Sequence, residues 1–209
     1  LSIGFTRRYD SQSTFNGAMG FGWQHAYQMR IESAGTNRQV LVDRTGRRIY
    51  FAKNGQGAWD ENRIEHLVLS APGSPAWRVM DNHQTKYEFD GAGKLTRIAD
   101  RDGNQITLGY TGSNLTSITD TFGRAMALAY DANNRLQTLS AGGRTVTYTY
   151  DAGTGNLTRV DWSDGSFVTY EYTDPNDVHN VTAARDSSGH LIEGHSYYAN
   201  DKVQTTQTD

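Results

Sequence analysis

The chain has 209 residues, with 20 Lys+Arg against 23 Asp+Glu for a formal net charge of -3, no cysteine, 22 glycines and 3 prolines. That composition excludes a disulfide scaffold or thiolate metal site and argues against a nucleic-acid module, which needs a basic footprint. No run approaches the ~18 apolar residues of a transmembrane helix, and Leu1 to Asp10 shows no apolar signal-peptide region. A start at Leu1, without Met, is expected of a segment cut from a longer chain.

The 12 tyrosines outnumber the 7 Phe and 4 Trp together. A tyrosine covers apolar surface while its hydroxyl keeps a polar partner, so the chain suits thin sheets wetted on one side. Ser2 to Asp10 reads as a strand. Asn16 to Trp23 is a glycine-rich aromatic turn, followed by a strand through Tyr27, Met29 and Ile31. Asp43-Arg-Thr-Gly46 is a turn leading into Arg47 to Phe51. Gly55 to Gly57 and Ala71 to Pro75 are loops, and Glu61 to Leu69, the nearest approach to a helical pattern, reads equally well as a strand entering a loop. Residues 1–85 are expected to be an irregular β lead-in that begins the same sheet as the rest.

From residue 86 a repeat takes over. Aromatic anchors Phe89, Tyr110, Tyr130, Tyr150 and Tyr172 are spaced 21, 20, 20 and 22 residues apart. Between them a Leu is followed three residues later by an aliphatic: Leu95 and Ile98, Leu115 and Ile118, Leu136 and Leu139, Leu157 and Val160. A second turn closes each unit, ending at Gly103, Gly123, Gly143 and Gly165. A looser unit carries Val181, Ala184, Gly189 and Tyr198.

Thr145 to Tyr150 alternates Thr with Val146, Tyr148 and Tyr150, the period of a strand with unlike faces. Asp90 to Gly93, Asp131 to Asn134 and Asp151 to Gly155 are hairpin turns, because Asp, Asn and Gly supply Asx hydrogen bonds and tolerate positive φ. A Leu and an aliphatic three apart would face opposite ways on a flat strand; a bulge or a twist resolves the parity. Each unit is therefore one antiparallel hairpin. The expected fold is all-β: consecutive hairpins in one continuous curved sheet, with about five units and a partial one over residues 86–209. One face is Tyr/Leu/Val and the other polar. With no helix available as a cover, the apolar face is expected to curl, close, or pack on other protein.

Candidate chemistry is sparse. Asp100-Arg-Asp-Gly-Asn104 superficially resembles a calcium loop but lacks the terminal Glu and the spacing. His190 and His195 would point to opposite faces of a strand, with no third ligand evident. His25, His66, His83 and His179 sit singly, and there is no nucleophile elbow, P-loop or dinucleotide fingerprint. Asn114-Leu-Thr116, Asn156-Leu-Thr158 and Asn180-Val-Thr182 match the glycosylation sequon but fall on repeat turns. No catalytic residue, metal site or cofactor is expected.

The units Tyr130-Asp-Ala-Asn-Asn-Arg-Leu136 and Tyr150-Asp-Ala-Gly-Thr-Gly-Asn-Leu157 resemble the YD repeats of RHS-repeat proteins. Tyr9-Asp-Ser-Gln-Ser and Gly20-Phe-Gly-Trp-Gln-His-Ala-Tyr27 look like the lead-in of bacterial members, and Tyr172 to Val181 is similar to a late repeat variant. Tyr110-Thr111, Tyr172-Thr173 and Tyr198-Ala199 depart from the Tyr-Asp pair. The resemblance implies a hollow β shell enclosing a C-terminal toxin, exported from a bacterium by type VI or other secretion systems. Relatives include shell components of insecticidal toxin complexes and the teneurins. In many members a core after the repeats frees the toxin with aspartates in a D-P-x-G-L-like motif; here Asp174-Pro175 runs on into Asn-Asp. This segment is thus expected to be wall without catalysis, secreted or at the cell surface, its partners the enclosed toxin and the remaining shell.

Two alternatives stand beside that reading. A binding module would stack glycan or protein on exposed Tyr and Trp, with Trp23, Trp59, Trp77 and Trp162 as the tryptophans, of which Trp162 is the one the repeat pattern leaves unexplained. An enzyme ranks third. Unpaired sheet edges of the isolated segment are expected to cause self-association.

Overall fold

The computed structural model describes residues 1–208. In chain order its elements begin with β1 (Arg7–Tyr9), β2 (Asn16–Gly17), β3 (Gly20–Phe21), β4 (Trp23–His25) and a single 3₁₀ turn at Ala26–Gln28. Then come β5 (Arg30–Ser33), β6 (Arg38–Val42), β7 (Arg48–Ala52), β8 (Val68–Ser70), β9 (Trp77–Met80), β10 (Lys86–Phe89) and β11 (Leu95–Ala99). Next are β12 (Gln105–Thr111), β13 (Asn114–Asp120), β14 (Ala125–Tyr130), β15 (Leu136–Ala141) and β16 (Arg144–Tyr150). The last five are β17 (Leu157–Trp162), β18 (Phe167–Glu171), β19 (Ala183–Asp186), β20 (Leu191–Tyr197) and β21 (Val203–Gln207). Strands β8 to β21 follow one another in the hydrogen-bonding order of a 14-stranded antiparallel sheet that is not closed. The all-β hairpin array read from the sequence is the observed fold.

The lead-in is where the structure departs from expectation. Strands β1 to β7 do not begin the long sheet. β1 pairs with β4, β2 with β3, and β5, β6 and β7 form a separate three-stranded sheet. The long sheet starts at β8, upstream of residue 86. Met19, Trp23, Tyr27 and Ile31 are all at most 5% exposed, so the lead-in withdraws its apolar side chains from water without extending the long sheet.

The chain divides into two compact units. The first comprises Leu1–Thr6 and His25–Ala125. Its three-stranded sheet buries Val40, Leu41, Val42, Ile49 and Phe51, and the long-sheet strands bury Leu69, Val79, Phe89, Leu95, Ile106, Leu115 and Ile118. β5 meets the tip of the β10–β11 hairpin: Ile31 N–H donates to the Gly93 carbonyl at 2.9 Å, and Arg30 bridges to Lys94. Gly93 sits at φ +80, and a Cβ there would overlap the Ile31 carbonyl, so this junction requires glycine.

The second unit comprises Arg7–Gln24 and Met126–Asp209. Here residues 7–24 lie across the Tyr/Leu face, supplying the cover for which the sequence offers no helix. The Ala18 carbonyl accepts from Leu136 N–H at 2.6 Å and from the Tyr150 hydroxyl at 3.3 Å. Phe21 stacks on His179 with ring centroids 3.8 Å apart. Trp23 Nε1 donates to the Tyr172 hydroxyl at 3.0 Å, and the Tyr9 hydroxyl donates to the His179 carbonyl at 2.8 Å.

Candidate functional site

The feature with a repeated, specific geometry is the hairpin itself. The outgoing strands β10, β12, β14 and β16 carry a register shift just before their aromatic anchors, and each anchor pairs with the Leu that opens the returning strand: Phe89 with Leu95, Tyr110 with Leu115, Tyr130 with Leu136, Tyr150 with Leu157. The extra residue follows the Leu. It resets the two-residue alternation, so Leu115 and Ile118, Leu136 and Leu139, and Leu157 and Val160 are all buried. The parity conflict seen in the sequence is thus resolved by a bulge.

The bulged residue is usually threonine, and its hydroxyl bonds the opposite strand. Thr96 donates to the Glu88 carbonyl at 3.1 Å, Thr116 to Gly109 at 3.3 Å, Thr158 to Thr149 at 3.1 Å and Thr182 to Glu171 at 3.2 Å. Each satisfies a carbonyl beside the disrupted ladder. The recurring Leu-Thr and Val-Thr dipeptides are the sequence signal for this role, distinct from the aromatic anchors and the Asp/Gly turns.

The anchors link one hairpin to the next. The hydroxyl of Tyr110 donates back to the Leu95 carbonyl at 2.7 Å, Tyr150 to Leu136 at 2.8 Å, Tyr172 to Leu157 at 2.8 Å and Tyr197 to Val181 at 2.6 Å. Each tyrosine therefore reaches the Leu or Val just before the bulge of the preceding hairpin. Phe89, at 0% exposure, is an anchor without a hydroxyl. Burial pushes the phenols up, Tyr148 and Tyr197 to about 12 and Tyr150 and Tyr172 higher still.

In the last hairpin the anchor is Tyr197, 8% exposed, and not the Tyr198 expected from the sequence, which is 54% exposed. Tyr198 takes the Asp position of the following turn: its N–H donates to Lys202 O and its carbonyl accepts from Asp201 N–H. With two adjacent tyrosines, spacing alone has no means of choosing between them.

The turns share one chemistry. Asp90 Oδ1 accepts from Ala92 and Lys94 N–H, Asp131 Oδ1 from Asn133 and Arg135 N–H, and Asp100 Oδ1 from Asp102 and Asn104 N–H. Gly103, Gly123 and Gly165 adopt φ +88, +79 and +88 at the fourth turn position, the left-handed residue of a three-residue hairpin loop. Gly143 differs: with Gly142 it forms a two-residue loop between the paired Ala141 and Arg144. Burial alone would raise the Asp120 carboxyl, but the Arg124 guanidinium and the N–H groups of Arg124 and Phe122 outweigh it and hold it below its usual value.

The other candidates fall into structural places. Asp100 to Asn104 is the turn just described. His190 Nδ1 lies 3.4 Å from Asp186 Oδ2, while His195 faces Thr206 at 3.2 Å and Glu193 at 3.4 Å. The sequon residues Asn156 and Asn180 are 2% and 1% exposed. Their amides are committed to the Val178 carbonyl and to Asp174 and Asp201, so neither can carry a glycan. Trp162 is half-buried beneath the Arg7 guanidinium, 5.5 Å from its ring centroid. Trp23 is buried, and Trp59 packs edge-on against Trp77 at 5.7 Å. Among the described residues no helix is long and apolar enough to cross a membrane.

The class defined by this geometry is an antiparallel hairpin-repeat protein. Residues 89–125 and 130–163 match the RHS Repeat family, and residues 1–51 match a domain of unknown function, DUF6531. Over 89–125 and 130–163 the chain is built of RHS repeats. No curated protein matches it. Among solved structures it is similar to TcdB2-TccC3-Cdc42 (13% identity, TM-score 0.43, covering 95% of this chain and 12% of that one). It is also similar to the Photorhabdus luminescens Tc holotoxin pore (14% identity, TM-score 0.39, 97% and 14%). A third is TcdB2-TccC3 without its hypervariable C-terminal region (16% identity, TM-score 0.42, 93% and 11%). The chain thus spans 11 to 14% of the length of these three chains.

Proposed function

We propose that this chain is a structural wall segment of a bacterial RHS shell that encloses a C-terminal toxin domain and takes part in its delivery. The observation that supports the reading best is the tyrosine hydroxyl that ties one hairpin to the last, from Tyr110–Leu95 to Tyr197–Val181. It is an interaction that only an array uses, and it commits tyrosines that would otherwise be free to stack on a ligand. Residues 1–85 act as the lead-in and residues 86–209 as the repeat array, with Phe89, Tyr110, Tyr130, Tyr150 and Tyr172 and their paired leucines as anchors. The segment performs no catalysis, and the protein is exported to act outside the producing cell. Its partners are the enclosed toxin and the remaining shell.

Limited proteolysis of the natural protein containing this segment tests the reading. A shell leaves a C-terminal domain protected until the wall is denatured. Digestion of everything beyond the repeats under native conditions would overturn the proposal.

A further inference from the structure

Across the polar face of the first unit, one row of side chains departs from the threonine-rich pattern. Ser70, Arg78, Glu88, Arg97, Thr107 and Thr119 are register partners on six successive strands. At its centre Glu88 is only 5% exposed. Arg78 holds Glu88 Oε1 through Nε at 3.0 Å and Nη2 at 2.8 Å, while Arg97 Nη1 holds Oε2 at 3.2 Å. One carboxylate thus stands between two guanidinia, and the group keeps a net positive charge. Arg78 Nη1 and Arg97 Nη2 make no hydrogen bond among the described residues, and Arg97 Nε is buried without a partner. A groove of about 660 Å³ opens over this row, walled by the Gly73–Ala76 loop and the Asp90–Gly91 turn.

We propose that this groove binds an acidic polypeptide segment, with an Asp or Glu side chain of the partner completing an alternating Arg–carboxylate–Arg–carboxylate row. A guanidinium fork matches a carboxylate in plane and charge. The Arg78–Glu88–Arg97 group carries a single surplus positive charge, which suits a monoanion; Glu88 and the Asp90 of the groove wall repel any anion there, and a dianion more strongly. The inference concerns the face of the sheet alone and holds whether or not the sheet is the wall of a shell.

The test is a titration of the ¹⁵N-labelled chain with an end-blocked peptide of alternating Glu and Gly, following the Arg78 and Arg97 Nε–H cross-peaks. The Glu peptide should shift both resonances saturably. Its Gln counterpart should not. Arg97→Gln, which leaves Glu88 paired with Arg78, should weaken binding about tenfold or more, read at Arg78. Glu88→Gln, which removes the competing negative charge, should strengthen it. Absence of a shift, an equal response to the Gln peptide, or saturation by inorganic phosphate at lower concentration than the peptide would each overturn the assignment.

Discussion

The Tyr172 hydroxyl sits between two partners, donating to the Leu157 carbonyl at 2.8 Å and accepting from Trp23 Nε1 at 3.0 Å. The first bond joins neighbouring hairpins and the second fastens the lead-in. Removing the oxygen should therefore be felt by both. Tyr172→Phe is expected to cost about 1–3 kcal/mol, because a buried carbonyl and a buried indole N–H both lose a partner. Urea denaturation of the two proteins measures the difference; an unchanged midpoint would mean that the ring alone carries the link.

Alkali should open the second unit by ionising the same residues. A phenol whose folded pKa is raised contributes stability below its ordinary value of 10.0, and that contribution is lost as pH climbs toward the folded value. Tyr148 and Tyr197 hold to about 12, and burial keeps Tyr150 and Tyr172 neutral further. Ultraviolet titration should show Tyr148, Tyr150, Tyr172 and Tyr197 ionising only together with loss of the strand circular dichroism signal.

Acid acts in two windows. Burial lowers the buried His25 ring from 6.5 to about 3, so the folded state excludes a proton that the unfolded chain takes up below 6.5. Stability should fall by roughly 1 kcal/mol per pH unit across that interval. His25→Leu should flatten the slope. The turn carboxylates follow. Hydrogen bonds from Asn104 and the turn N–H groups hold Asp100 below 3.8, and those from Thr154 and Gly153 do the same for Asp151. Their contribution is present above 3.8 and disappears as pH falls through the lower folded values. Thermal melts from about pH 7 to about pH 2 would resolve both limbs in the wild type and only the lower one in the variant.

Two glycines with similar backbones should respond differently to alanine. Gly93 and Gly103 have φ +80 and +88, but only Gly93 faces a close neighbour, the Ile31 carbonyl. Gly103→Ala carries the strain of a left-handed residue alone, about 1 kcal/mol. Gly93→Ala adds a steric clash and should cost clearly more, with loss of amide-exchange protection at Ile31.

β21 is the last strand of the long sheet, and Val203 to Gln207 are all exposed. The isolated segment should associate through this edge. Thr206 is the position at which to block it. Its register partner His195 turns its N–H toward the Thr182 carbonyl on the far side of β20. The two residues are therefore a non-hydrogen-bonded pair, and the Thr206 N–H points out along the free edge. Light scattering should show concentration-dependent growth that Thr206→Pro suppresses without loss of the β20–β21 pairing; a wild-type monomer at high concentration would refute the edge as a template.

How much of this is legible in the sequence follows from the range of each interaction. Anchor, turn and return strand repeat within about twenty residues, so Phe89 to Tyr172 and their leucines stand out by spacing, and the failed parity of Leu157 and Val160 announces a bulge. The tyrosine hydroxyl bonds span a similar distance and are accessible by asking why the anchors are Tyr so often and Phe once. The cover formed by Arg7 to Gln24 is not. Trp23 and Tyr172 are 149 residues apart, and nothing in a local period records which distant surface a short glycine-rich strand will lie on. The same blindness hides Arg78, Glu88 and Arg97, since charges facing one another across strands look, in sequence, like ordinary solvated positions.

Because one extra residue after each leucine restores the phase within every hairpin, the repeats are interchangeable parts. Whole copies can be added or deleted and every later strand still turns its greasy side the same way. A single amino acid inserted into a strand would invert all that follows until another irregularity corrected it. Gain or loss of a whole unit therefore leaves the facing of the sheet intact where a one-residue insertion or deletion does not.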